Sequence, residues 1–470
     1  MPKLVPLAAP VLALALLGVA CSSSSDGATT TTTGGGNPAK GCETGLLPDQ
    51  PLLTPSTATG PQSASYSNDA VAAQSRDCEG MRSFISTPQP GFDLQSYVFY
   101  GHLKASDGTI IPFSTMTQSE AADLGNPSSP VLRVTATTVN TGDGIVIGGV
   151  DGLPSSTLTE SATSNPFSLR TQSSPNGPTP EYIDARVVEG QLGQPGALIQ
   201  LTGQLTGEAA SGATVPLQFD VRLRDVSGVG QWGYGPSGFF PQWLLPAQHD
   251  AVTGSYGGDV AAYLEATNEP LTDQGSYYYS SPVVDVESFT ITEGGTVIAS
   301  GAEGELLIDY VTQSFDASAA NVVENGIQWT EFSTLLDGGR SLKVGETQQA
   351  SVGTLPYAME LRSDGKRLAN GALEPSQRWD IGDITITPDT TKTWTSPRSG
   401  KTYVMRYTAE LKGTDGTGSA SFTYEAVIED QEVDAGGRTV YEGLYRVTGT
   451  LDGATVTGYA WAEIQPSGGV

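Results

Sequence analysis

Few residues in this chain could do metal or nucleophilic chemistry. It has 470 residues, only two histidines, His102 and His249, and three cysteines, Cys21, Cys42 and Cys78. That is too few soft ligands for a zinc, copper or iron–sulfur centre, so no metal is expected. Phosphate loops, Cys-x-x-Cys pairs, His-Glu-x-x-His and a Gly-x-Ser-x-Gly elbow are missing. A Ser-His-Asp triad would have to use one of the two histidines. Acid–base chemistry from carboxylates and tyrosines remains, because Asp and Glu number 51. Asp309 stands out: it interrupts the apolar run Leu306-Leu307-Ile308-Asp309-Tyr310-Val311. Period-two alternation puts it on a face with Leu307 and Val311, opposite Ile308 and Tyr310. It is read as a candidate acid, or as a structural carboxylate capping a loop or paired with an arginine. His102 is a candidate proton carrier, or a hydrogen-bonded structural histidine. Tyr277, Tyr278 and Tyr279 alternate faces, so either Tyr278 or the pair Tyr277 and Tyr279 can face a cavity. The aromatic, Gly/Pro-rich segment Gln231–Trp243 reads as a long loop, either a lid or a plug.

The elements that must position these residues are strands. Leu217, Phe219, Val221 and Leu223 alternate with Gln218, Asp220, Arg222 and Arg224. Tyr403 to Leu411 and Phe422 to Ile428 repeat the pattern, as do Val131–Val139, Tyr182–Val188, Val283–Ile291, Glu305–Val311 and Thr455–Ile464. Turn signals such as Asp107-Gly108, Asp337-Gly338, Asp364-Gly365 and Asp452-Gly453 separate them. Helical periodicity is confined to one short stretch, Val260–Ala266. Many short strands and few helices predict an all-β sandwich or barrel fold.

Charge and the N-terminus bound the setting. Lys and Arg number 23, the net charge is −28, and no basic stripe exists to neutralise phosphates, so nucleic acid is excluded as a partner. Residues 1–20 read as a signal peptide, with Lys3 before an apolar run too short to span a bilayer. It ends Leu17-Gly18-Val19-Ala20-Cys21, which is similar to a bacterial lipoprotein cleavage site. That resemblance implies a lipidated Cys21 and, with Ser22 next to it, an outer-membrane lipoprotein whose only membrane contact is the anchor; plain secretion is the alternative. Residues 21–45 form a low-complexity tether. Cys42 and Cys78 are expected to pair in an oxidising periplasm, a catalytic cysteine being the other reading. The body divides by texture into residues 46–318, with long Gly/Ser/Pro-rich loops, and 319–470, a tighter series of hairpins, with the boundary in Asp316–Ala320.

An ordered set of motifs lies in the last third. Asp383–Pro388 precedes Trp394-Thr395-Ser396-Pro397; Asp430-Gln431-Glu432 follows; then Tyr441-Glu442-Gly443 and Gly458-Tyr459. The series resembles the AttH and carotenoid 1,2-hydratase relatives, a two-domain group that includes kievitone hydratase-like proteins and is often labelled as predicted secreted hydrolases. Tyr100-Gly101-His102-Leu103, Tyr277-Tyr278-Tyr279-Ser280 and Ile327–Phe332 with Asp337-Gly338 extend the resemblance over about residues 95–465. Around Asp309 the group has Asp-His or Asp-Arg and then Trp-Gly; here Tyr310 and Thr312 stand in those places, which points to altered chemistry or a different ligand. The resemblance implies two consecutive lipocalin-like antiparallel β-barrels with a site near their junction. It implies a lipophilic substrate, an isoprenoid, polyketide or fatty acyl compound, that is hydrated, cyclised or isomerised without cofactor. A carboxylic acid in an apolar pocket would protonate carbon, and aromatic faces would stabilise the cation. On this reading Asp309, His102 and Tyr278 are the catalytic candidates, and Tyr277, Tyr279, Tyr310, Trp329, Trp394 and Glu442 the ligand-contact candidates. Trp394 and Glu442 also read as plain fold signatures. A non-catalytic carrier and a surface scaffold remain as alternatives.

Overall fold

The computed structural model describes residues 94–121, 131–140, 145–154, 158–164, 167–173, 181–209, 213–234, 255, 276–313, 327–349, 353–367, 372–373, 375–379, 381–413, 418–435 and 438–465. The leader, the tether, Cys21, Cys42, Cys78, His249, Val260–Ala266 and the expected boundary at Asp316–Ala320 lie outside them.

Among the described residues the chain is almost entirely strand. The first sheet comprises β1 (Leu94–Lys104), β2 (Ile110–Ala121), β3 (Val131–Asn140), β4 (Ile145–Pro154), β5 (Leu158–Ser164), β6 (Phe167–Ser173), β7 (Tyr182–Glu189), β8 (Leu198–Ala209), β9 (Thr214–Asp225), β10 (Gly230–Tyr234), β11 (Ser276–Glu293), β12 (Thr296–Gly301) and β13 (Glu303–Gln313). The second comprises β14 (Ile327–Leu336), β15 (Arg340–Gln349), β16 (Gly353–Arg362), β17 (Gln377–Trp379), β18 (Ile384–Pro388), β21 (Arg406–Leu411), β22 (Ala420–Ala426), β23 (Glu432–Ala435), β24 (Arg438–Leu451) and β25 (Ala454–Gln465). A separate ribbon pairs β19 (Thr393–Thr395) with β20 (Thr402–Val404).

Every ladder in both sheets is antiparallel. In the first, β11 pairs with β13, β13 with β1, and β1 to β4 follow in order. β4 then meets β8, β8 pairs with β9, and β9 returns to β11. A ring of eight strands therefore closes, with β5 to β7, β10 and β12 branching from it. The second sheet runs β17-β16-β15-β14-β25-β24-β22-β21-β18 and curls until β18 lies against β16 without a ladder between them. Antiparallel strands are thus what the alternation foretold, and two barrel-like sheets are what the resemblance implied.

Local sequence explains the strands. In β9 the apolar members are buried and Gln218, Asp220 and Arg222 face water. Asp452 and Gly453 both adopt positive φ, 54° and 78°, the turn geometry that matches the strand twist between β24 and β25. Two expectations need correction. Tyr403 to Leu411 is not one strand: the Met405 N–H donates to Lys392 O at 2.7 Å and the Met405 carbonyl accepts from the Ala426 N–H, so the chain changes partners there. The segment from Gln231 does not begin as a loop: Gly230–Tyr234 pairs with β11, and Trp232 is fully buried; residues 235–243 lie outside the described residues.

Three cores result. Tyr97, Phe99, Ile308, Tyr310 and Phe219 belong to the interior of the first barrel. Phe332, Tyr424, Tyr445 and Tyr407 belong to that of the second. A third cluster lies between the barrels: Val98, Tyr100, Met116 and Leu307 from the first meet Leu335, Leu444 and Trp461 from the second. Outward faces of β1, β13, β14 and β25, which in an isolated barrel would meet water, are buried here against each other.

Candidate functional site

Beside that apolar seam lies a buried polar cluster drawn from both barrels. Tyr100 and Asp309 come from the outward faces of β1 and β13, and Tyr278 and Ser280 from β11; Asp309 stands opposite Ser280 and Val98 in the two ladders. Glu331 and Ser333 come from β14, Lys343 from β15, and Tyr357 from β16. Lys343 is 0% exposed, Asp309 1% and Glu331 3%.

Lys343 is the centre. Its Nζ lies 2.9 Å from Asp309 Oδ2, 2.9 Å from Glu331 Oε1, 2.9 Å from Tyr100 Oη and 2.9 Å from Ser333 Oγ, and it also donates to Tyr278 Oη. Five oxygens surround an ammonium with three protons, so the cation is over-supplied with acceptors. Burial opposes its charge, but Asp309 and Glu331 outweigh burial and raise its pKa. Asp309 in turn accepts from Tyr100 at 2.5 Å and from Tyr278 and Ser280. Tyr357 donates to Glu331 Oε2 at 2.8 Å. Trp232 donates its indole N–H to Ser280 Oγ at 2.6 Å. An unbroken hydrogen-bonded line therefore runs from Trp232 through Ser280, Asp309, Lys343 and Glu331 to Tyr357, from one barrel into the other. Burial first, and the neighbouring Asp309 next, push both Tyr100 and Tyr278 well above the ordinary phenol pKa, so both stay neutral donors.

Register explains the second half of this site. Across β24, β25, β14, β15 and β16 the ladder partners are Glu442, Glu463, Glu331, Gly345 and Tyr357. Three carboxyls thus line one row. Gly345 is the gap in it: a Cβ there would come within 2.5 Å of the Tyr357 hydroxyl, so only glycine lets that ring reach Glu331. Half-buried Glu442 accepts the Trp461 indole N–H at 2.7 Å. Burial pushes its carboxyl up to about 8, with the Trp461 bond opposing. Glu463, 8% exposed, is pushed well above the ordinary carboxylate value by burial first, then by Glu442 and Glu331, against the pull of Lys343.

The structure sorts the sequence candidates. Asp309 and Tyr278 lie in the cluster, and Glu442 lies in the adjoining carboxylate row. The apolar pocket expected around Asp309 is not what surrounds it: three hydroxyls and an ammonium do. Tyr279 and Tyr310 face the first barrel's core instead; the Tyr310 ring stands edge-on to Tyr97 at 6.1 Å, and its hydroxyl is 3.2 Å from Ser281. The Tyr277 side chain lies outside the described residues. His102 shares Tyr100's face but stacks on Tyr459 at 4.4 Å, and its buried Nδ1 has no hydrogen-bond partner among the described residues. Burial first, then Lys104, lowers its pKa to about 4, so it is a neutral ring at neutral pH. Neither Trp329 nor Trp394 hydrogen-bonds to the cluster among the described residues; Trp394 stacks on Tyr403 at 6.1 Å.

The C-terminal signature residues turn out to clasp one another. Glu432, fully buried, accepts from Ser396 at 2.6 Å, Ser399 at 2.5 Å and Tyr403 at 2.7 Å. Arg398 forks onto Asp430 at 2.6 and 2.9 Å. Gln431 donates to Tyr441 Oη at 2.9 Å and accepts from the Leu444 amide at 2.9 Å. A Cβ on Gly443 would meet the Gln431 amide nitrogen at 2.5 Å, which is why the Tyr-Glu-Gly motif needs its glycine. Those motifs hold the second barrel together, and among them Glu442 and Tyr459 face the other barrel.

Lys343, Glu331, Glu463, Tyr100 and Tyr357 were not singled out from sequence. Lys343 sits in Ser341-Leu342-Lys343-Val344, where alternation reads it as a solvated residue on a polar face. The signal was present but pointed to water, because nothing in the strand announces that another barrel covers it.

No protein-family model and no curated protein matches the sequence. Among solved structures the chain is similar to a Nitrosomonas europaea protein described as AttH, at 16% identity and a TM-score of 0.48, over 80% of this chain and 94% of that one. It is similar also to kievitone hydratase from Nectria haematococca, at 14% identity and a TM-score of 0.48, over 81% of this chain and 90% of that one. Both are proteins of the group that the sequence motifs resemble, and at these identities the likeness concerns the fold alone.

Proposed function

We propose that the protein is a cell-envelope lipoprotein that binds a lipophilic small molecule at the junction of its barrels and adds water to it, or isomerises it, by cofactor-independent acid–base chemistry. The observation that carries this reading is the conjunction, on the buried faces between the barrels, of a Lys343-centred ion cluster with carboxyls held protonated beside it. Protonating an alkene carbon needs an acid that keeps its proton near neutral pH. Glu442 and Glu463 meet that need, whereas Asp309 is engaged by Lys343 and three hydroxyls. In the proposed step the Glu463 proton bonds to one alkene carbon as the π bond breaks. Water bonds to the other carbon, and the released proton returns to the carboxylate. Tyr100 and Trp461, with ring centroids 6.0 Å apart, offer π faces to the developing cation. Asp309 and Lys343 position Tyr100 and Tyr278.

The test is incubation of the purified protein with isoprenoid and polyketide alkenes in H2(18)O, with mass spectrometry of the products. Glu463→Gln should abolish label incorporation, and Asp309→Asn should lower it with retained folding. Full turnover by both Glu463→Gln and Glu442→Gln would overturn the assignment. Ligand uptake without turnover in any variant would leave the carrier reading in its place.

A further inference from the structure

One end of the second barrel's interior is built differently from its core, and it lies apart from the inter-barrel cluster. Phe332 and Val344, ladder partners on β14 and β15, belong to the core. Two residues further along each strand, alternation brings the pair Thr330 and Glu346 onto the same inner face, and then the pair Gln328 and Gln348. All four line a cavity of about 250 Å³, whose wall also includes Tyr407 from β21 and Ile464 from β25. The apolar core thus gives way there to hydroxyl, carboxyl and amide groups around an open space.

Glu346 is the one charged side chain among the described lining residues, and no Lys, Arg or His accompanies it. It is half-buried. Burial raises its pKa and only the Gln348 side chain opposes the rise, so no cation compensates the carboxylate. A desolvated carboxylate without a counter-charge is costly, and the cavity beside it has room for one. The neighbouring groups narrow the choice of cation. A metal ion needs several carboxyl or imidazole ligands, and no cluster of three such residues suited to a metal occurs among the described residues. A quaternary ammonium needs open ring faces. Tyr403, however, packs against Trp394 and Tyr441, and Tyr407 against Phe332 and Tyr445. A primary ammonium needs three acceptors. The Glu346 carboxylate, the Thr330 hydroxyl oxygen and the Gln328 side-chain carbonyl are acceptors on one inner face.

We infer that this cavity binds a small primary ammonium ion with a short apolar tail, its N–H groups directed to Glu346, Thr330 and Gln328 and its tail to Ile464 and Val404. An anion finds no counter-charge in such a lining, and a neutral alcohol leaves the carboxylate uncompensated.

The experiment uses the full chain and isothermal calorimetry at low ionic strength. The probes are pentylamine, 1-pentanol, pentanoate and pentyltrimethylammonium. The expected result is saturable binding of pentylamine, weaker binding of 1-pentanol and of the quaternary ion, and none of pentanoate. Glu346→Gln should weaken pentylamine about ten- to a hundredfold, the size of one charge-assisted hydrogen bond. Glu425→Gln, on the exposed face of β22, should leave it unchanged. That control separates the cavity from the general pull on cations of a chain with net charge −28. Thermal melts show whether Glu346→Gln remains folded; if it does not, the order of the four probes on the parent protein decides. Pentylamine bound no better than 1-pentanol would overturn the inference. So would no uptake of pentylamine, undiminished uptake by folded Glu346→Gln, or an equal loss in Glu425→Gln. None of these results bears on turnover at the inter-barrel cluster, which Glu463→Gln tests separately.

Discussion

Replacing Lys343 with Met keeps the length and apolar stem of the side chain and removes only its charge and donors. In the folded protein that ammonium is fully buried and lies 2.9 Å from each of two buried carboxylates, Asp309 and Glu331. Breaking one buried ion pair by removing a partner costs about 3–5 kcal/mol, because the other charge is left desolvated. Here one cation serves two anions, so the upper end, about 5 kcal/mol, is expected at pH 7. The penalty belongs to the stranded charges, so Asp309→Asn and Glu331→Gln added to Lys343→Met should recover about 1–3 kcal/mol of it. Urea unfolding at pH 7, followed by far-UV circular dichroism and fitted as two transitions because two barrels need not unfold together, measures these differences. An exposed pair contributes about 1 kcal/mol or less. A loss of that size from Lys343→Met would refute the reasoning, because it would mean that the ammonium is solvated and the barrels do not close over it.

Glu442 supplies a pH test with a defined sign. Its folded-state pKa of about 8 lies above the unfolded value, so its stabilising share is complete below the ordinary glutamate range and is lost as pH rises through 8. The melting temperature should therefore fall between pH 5 and 9, and Glu442→Gln should flatten that fall in a calorimetric series. His102 acts at the other end: its depressed pKa means that stability present above pH 6.5 is lost as pH falls through about 4, and His102→Phe should remove that acid-side loss. Gly345→Ala forces a Cβ to within 2.5 Å of the Tyr357 hydroxyl and 2.7 Å of Thr330 O. It should cost about 1–3 kcal/mol in the urea midpoint, and a second change, Tyr357→Phe, should restore part of that loss.

The all-β fold was legible because period-two alternation is a one-strand property. Leu217 to Leu223 alternates in sequence and alternates in burial for the same reason, the pleat. Asp309 was legible as an anomaly, a carboxyl in an apolar run. What alternation cannot say is what lies beyond the outward face. Lys343, Glu331 and Glu463 have the pattern of solvated side chains, and only the docking of a second barrel turns them into a buried cluster. Tyr310 and Tyr279 show the converse: motif position suggested a ligand contact, but the pleat sends both into a packed core. The Trp-Thr-Ser-Pro and Asp-Gln-Glu motifs were conspicuous in sequence because they clasp each other, Ser396 on Glu432, and conspicuous motifs of that kind report the needs of folding rather than of chemistry.

Closure of the first barrel has a consequence for how the chain is made. β1 is held between β2 and β13, and its residues pair with partners about two hundred positions later, as Tyr100 does with Asp309. During synthesis one edge of Leu94–Lys104 must therefore wait, unpaired, until Gln313 exists. Pairings of such long sequence separation form slowly, and an open edge recruits whatever strand is nearby. A molecule built this way is most vulnerable before it is whole, and a chaperone that masks a single strand, β1, would protect the barrel through that interval.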